Sequence, residues 1–298
     1  MYPRTVMRIG DRIEQSLTLS CPEAARLALT NRDAFDFVET ELTVRKTSVA
    51  GLVSAFGFPI DAMDTVRTFA VQLFQTHGLT NVERLAALGW LCHQIDTMAS
   101  NGTHNDVSAL LTEMTGMVES GSLSPLVQQL EEQPSIGVTV FYILFKNQKG
   151  VTRPPQQQEV VDWVCEGLSI ESDGKTDLLK IEQNYHRGLS MLKQDSEVYE
   201  WAMNRYLLND LLRETFPWGQ TSAMLHYRRL LTRFGILRLM LCGVAAFRRG
   251  PLDHDVVVQT VQVFCRLYQH NDGFAKNAEL CLQDLEWNSL ERLYTLLK

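Results

Sequence analysis

SEVYEWAMNRYLLNDLLRETF (residues 196–216) is the stretch that settles the fold class. It opens on Ser196, a helix-capping residue type, and stops before Pro217 in the sequence Phe-Pro-Trp-Gly. At about 100° per residue, Val198, Trp201, Leu208, Leu212 and Phe216 share one arc. Two polar residues share that arc: Arg205 is centred in it and Asn209 lies inside it. Asp210 and Glu214 fall on the opposite flank and read as solvated. A buried, unpartnered amide costs roughly 1–3 kcal/mol, so Asn209 needs a partner. Two readings stay open, a hydrogen bond to a neighbouring helix end or a contact to a ligand.

Helical signals continue on both sides. Ser20 with Glu23 reads as a capping box with Pro22 in the first turn, and Thr80 with Glu83 as another, its helix stopped by Asn101-Gly102. SPLVQQLEEQ starts a helix at Ser124-Pro125. A long helix covers roughly 221–249 and closes at Gly250-Pro251. Asp253 opens the next, which ends near Asn271, and Asn288 with Glu291 forms a last capping box. GVTVFYILF (137–145) is β-rich in composition but follows a Pro-Ser helix start, and is read as helix. Strand signals are weak elsewhere. The expected fold is all-α, a multi-helix bundle-like domain of one or two helical layers. It is read as a single region, 1–298, with a sub-boundary in the polar stretch 146–158.

Composition bounds the function. The chain has 298 residues, 45% hydrophobic and 21% charged, enough apolar material for a large core. A formal charge of −7 argues against a nucleic-acid partner, since phosphate binding needs a basic surface. Arg228, Arg229 and Arg233, then Arg248 and Arg249, read as solvated helix faces. Six cysteines without a C-x-x-C pair read as reduced thiols in an intracellular compartment. No leader peptide is legible. The longest apolar run, FGILRLMLCGVAAF, reads as too short to span a bilayer and contains Arg238, so no membrane partner is expected.

No phosphate loop, dinucleotide fingerprint, zinc-protease helix or nucleophile elbow is present. What remains is polar residues on apolar faces. Arg238 falls between Tyr227, Leu231, Phe234 and Cys242, where a guanidinium needs a carboxylate or several carbonyls. It is expected to be buried and paired with Glu200, Asp210 or Glu214; an anchor for an anionic ligand is the other reading. In VQVFCRLYQHN, Asn271 lies on the apolar arc, with His270 at its edge and Arg266 one turn earlier. His270 reads either as an answer to the helix dipole or as a site residue, and Asn271 either as a cap or as a site residue. Together, Arg205, Asn209, Arg238, Arg266, His270 and Asn271 are the candidates for binding substrate or cofactor; no catalytic residue is identified.

YLLNDLLRETFPWG, LRLMLCGVAA and VVVQTVQVFCRLYQHN resemble the C-terminal half of the flagellin lysine N-methylase family. YPR (2–4) and EQSLTLSCPEAARLAL (14–29) resemble its middle segment. The resemblance implies methyl transfer from S-adenosylmethionine to flagellin lysines in the bacterial cytoplasm. It implies a cysteine-rich segment before the YPR block, similar to an iron–sulfur or other metal-binding module. The chain then is the C-terminal portion of a longer protein and is expected to lack turnover alone. Cys21 either completes that cluster or is an ordinary helix-start cysteine. A lysine amine must be neutral to accept a methyl group, which an apolar slot favours. Trp201, Tyr206, Phe216 and Trp218 line such a slot or belong to the core. The other functional reading is a non-catalytic helical module that binds flagellin for a segment elsewhere.

Overall fold

The structure, a computed structural model, describes residues 4–9, 12–36, 54–103, 106–130, 134–146, 154–171, 177–269, 272–284, 287 and 289–297. It is all-α in class. Among the described residues, thirteen α-helices accompany two small hairpins: β1 (Arg4–Ile9) with β2 (Arg12–Leu17), which precedes the first helix, and β3 (Ser54–Ala55) with β4 (Phe58–Pro59), which lies between the first and second. The helices are α1 (Pro22–Thr30), α2 (Ile60–Gln75), α3 (Asn81–Asn101), α4 (Val107–Glu119), α5 (Leu123–Gln128), α6 (Pro134–Lys146) and α7 (Pro155–Leu168). They continue with α8 (Leu178–Leu192), α9 (Ser196–Arg213), α10 (Ala223–Arg248), α11 (His254–Phe264), α12 (Asp272–Asp284) and α13 (Leu290–Thr295). A π turn, Cys265–Gln269, extends α11.

Local chemistry fixes the helix starts. Thr80 and Glu83 form the expected capping box, with the Thr80 N–H donating to Glu83 Oε2 at 2.7 Å. Ser222 caps α10 by accepting from the Leu225 N–H, and Asp253 caps α11 by accepting from Val256. Such caps each contribute about 1 kcal/mol. Other caps shift by one or two places. Pro22 occupies the first turn of α1, so Cys21, not Ser20, is its N-cap. Ser122 precedes α5, and Ser124 donates instead to Glu83. Ser289 caps α13. The β-rich stretch 137–145 is helical within α6. The β1–β2 hairpin is the element that helical periodicity hides.

α10 is the axis of the fold. α3, α6, α7, α8, α9, α11 and α12 all pack on it. Nearly every α10 residue from Leu230 to Ala246 is buried. By length and composition α10 is able to cross a membrane, contrary to the reading of its apolar run as too short. Its most apolar window is 94% buried inside the protein, so these apolar faces are taken by neighbouring helices. Two glycines bring α7 and α8 against it. A Cβ on Gly167 would stand 1.9 Å from the Gly243 carbonyl oxygen, and one on Gly188 would stand 2.0 Å from that of Cys242. Backbone therefore meets backbone on both sides of α10.

Candidate functional site

α9 is enclosed on several sides, by β2, α1, α2, α10 and α11. Its polar residues accordingly find different partners. Asn209, fully buried, closes on one residue: its Oδ1 accepts from the Leu17 N–H at 2.9 Å and its Nδ2 donates to the Leu17 carbonyl at 3.0 Å. Arg205 lies 4.1 Å over the Trp201 ring and donates to the Arg32 carbonyl at 2.5 Å. From the π turn, Arg266 donates to the Ser20 carbonyl at 3.0 Å, joined by Gln262 of α11 at 3.3 Å. Three of the residues singled out from sequence thus hold the backbone of one segment, from the end of β2 to Arg32 just past α1. Cys21, half-buried, follows the gripped Ser20 carbonyl directly. His270 and Asn271 lie outside the described residues.

The same segment is fixed by an ion pair that sequence patterns did not reveal. Arg67 of α2, 1% exposed, forks its Nε onto both Glu14 carboxylate oxygens, at 3.0 and 2.8 Å. It also donates to the Phe216 carbonyl. A bidentate guanidinium–carboxylate pair is among the stronger polar contacts a protein makes.

Beyond Asn209 the end of α9 holds a buried charge network. Asp210 is fully buried, not solvated. Its Oδ2 accepts from Arg233 at 2.9 Å and its Oδ1 from Gln269 at 2.6 Å, with Arg213 3.5 Å away. Glu214, half-buried, forms ion pairs with Arg233 at 3.1 Å and with Arg213. Arg233 is therefore not on a solvated face. Burial pushes the Asp210 carboxyl up, but Arg233, Arg213 and Gln269 outweigh it and leave the group below the usual carboxylate range. The π turn is what carries Gln269 onto Asp210. Alongside, Phe216 meets the His226 ring edge-on at 5.4 Å, and His226 Nε2 bonds the Trp218 carbonyl at 2.9 Å. Burial pulls the His226 imidazole down to about 4, helped by Arg229 and Arg233. Two voids of about 10 Å³ flank Arg233, each the size of a single water.

Arg238 is buried as expected, but it pairs with carbonyls rather than an acid. It donates to Leu297 at 2.5 Å and Leu296 at 3.0 Å, the orphan carbonyls that close α13. Glu200, one of the acids expected to face it, instead accepts from Asn81. The four aromatics of the expected slot go separate ways. Tyr206 packs edge-on against Phe264, Phe216 against His226, and Trp201 lies under Arg205; Trp218 is buried. All six cysteines are free, and Cys92 is buried while His93 is exposed. Among the described residues no group of three or more His, Cys, Asp or Glu is placed to hold a metal ion.

The model of the FliB lysine N-methylase C-terminal domain matches residues 67–296. The chain belongs to the FliB lysine N-methylase family. No curated protein and no solved structure matches it. The matched span contains α10 and every helix packed on it, together with the Asp210 network. The hairpin β1–β2 and α1 precede the span, so Asn209, Gln262 and Arg266 join the FliB C-terminal domain to a segment outside its match. Sequence reasoning found Asn209 by its place on an apolar face and Arg266 by its place one turn before His270, and it did not find Gln262. It missed Asp210 because a wheel with one apolar arc assigns the opposite flank to water.

Proposed function

We propose that this chain is the C-terminal part of a methyltransferase that modifies lysine side chains of flagellin in the bacterial cytoplasm, with S-adenosylmethionine as donor. The observation that supports this reading is the family match over 67–296, which takes in the whole helical body around α10. When bound, S-adenosylmethionine supplies an electrophilic methyl group to the neutral lysine amine. The chain's own residues contribute a rigid, charge-balanced body in this reading. The Asp210 network ties α9, α10 and the π turn together, and Asn209 and Arg266 set the preceding segment on it. An iron–sulfur cluster fits the residues present only in part. Cys21 offers one thiol at the start of α1, and no other ligand set accompanies it among the described residues.

A second reading is a non-catalytic module that docks flagellin for a catalytic segment elsewhere. The observation favouring it is that the acids and arginines at the end of α9 are engaged with one another. Separate calorimetric titrations of the chain with S-adenosylmethionine and with flagellin divide the readings. The methyltransferase reading expects both to bind. Binding of flagellin alone supports the docking module, and binding of neither refutes both.

A further inference from the structure

The C-terminal end of α10, with α7 and α8, walls a groove of about 420 Å³. That is within the roughly 300–1,000 Å³ typical of small-molecule sites. Buried Gly167 and Ala246 form its base, and half-buried Phe247 and Met191 its apolar sides. The Phe247 ring stacks on Trp163, with centroids 6.1 Å apart and planes 16° from parallel. Three exposed charged residues border it: Arg187 of α8, Arg249 at the end of α10 and Glu166 of α7. Among the described residues none of the three side chains takes part in an ion pair or hydrogen bond. Two guanidiniums and one carboxylate thus face one apolar-sided groove without being neutralised by each other.

Guanidiniums bind a carboxylate, a lone carboxylate binds an ammonium, and an aromatic side receives a planar ring. One ligand class carries all three groups, an α-amino acid joined to a flat apolar body. We propose that this groove seats the methyl donor, an assignment that rests on the methyltransferase reading. Arg187 and Arg249 take the α-carboxylate, Glu166 takes the α-ammonium, and Phe247 with Met191 takes the nucleoside. Because the rim carries one net positive charge, the demethylated product S-adenosylhomocysteine, which lacks the sulfonium charge, binds more tightly than the donor. The same charge repels a lysine ammonium, so the substrate side chain approaches from elsewhere.

The test is calorimetric titration of the intact chain with S-adenosylhomocysteine, and with 5′-methylthioadenosine, which has the nucleoside but no amino-acid group. Arg187→Ala combined with Arg249→Asn changes two exposed positions, and Asn tolerates the left-handed backbone at 249 (φ 59°). The double variant is expected to melt like the parent, bind S-adenosylhomocysteine about tenfold or more weakly, and keep the parent's affinity for 5′-methylthioadenosine. Glu166→Gln is expected to weaken S-adenosylhomocysteine alone, and it carries the test if the double variant melts low. Unchanged S-adenosylhomocysteine binding in these variants, or none by the parent, overturns the groove assignment. Methyl transfer to flagellin by the longer protein that carries this chain in either case leaves the methyltransferase reading standing.

Discussion

Asn209 spends both halves of its amide on a single residue, Leu17, 192 positions earlier in the chain. The amide of α9 thus completes the backbone hydrogen bonding where β2 ends. Asn209→Leu leaves the Leu17 N–H and carbonyl without these partners inside the protein. It is expected to cost about 1–3 kcal/mol in urea unfolding and to raise hydrogen exchange across β2. Wild-type stability with unchanged exchange would refute the clasp.

Asp210 and Arg233 form the buried core of the charge network. Removing one partner strands a buried charge, so Asp210→Asn or Arg233→Met alone is expected to cost about 3–5 kcal/mol. The two changes together should cost clearly less than their sum. A double-mutant cycle in chemical denaturation reads this coupling directly. Strict additivity would mean that the two side chains do not interact.

His226 predicts an acid sensitivity. Its imidazole titrates at about 4 in the fold, against 6.5 ordinarily. Between those values the unfolded chain binds the proton and the folded chain does not. The contribution is therefore fully present above about pH 6.5 and is lost as pH falls toward 4. It amounts to on the order of 3 kcal/mol. Asp210 adds a further loss at lower pH, as its depressed carboxyl is finally protonated. Melting temperatures followed from pH 7 to 4 should fall for the parent and fall less for His226→Gln. Parallel profiles would contradict the buried neutral imidazole.

Gly167→Ala and Gly188→Ala drive a methyl group into the α10 backbone, and each is expected to destabilise by about 1–3 kcal/mol or more. Gly116, in α4 with nothing within 4 Å of an added Cβ, is the control. Gly116→Ala should stabilise by roughly 0.5–1 kcal/mol. Equal effects at the three positions in thermal melts would rule out the close helix contacts.

The helices were legible because their caps are local. Thr80 with Glu83 and Asp253 with Val256 act within one turn, so short sequence windows contain the whole signal. The β1–β2 hairpin was not, since six-residue strands studded with Arg4, Arg8 and Arg12 offer little apolar alternation. The inward placement of Asn209 and Arg238 was readable from the wheel, but their partners were not. Leu17 and the Leu296 and Leu297 carbonyls lie far away in sequence, and backbone acceptors leave no residue-type signature. Asp210 was misread because α9 is buried on more than one face, which a single-arc wheel cannot represent.

Mass spectrometry of flagellin tests the proposed lysine methylation most directly. Flagellin is incubated with S-adenosylmethionine and the protein carrying this chain, then digested and mapped. Methyl additions confined to lysine side chains, absent without the protein or the donor, are the predicted result. Flagellin of unchanged mass, under conditions where the protein is folded and both ligands are present, would contradict it.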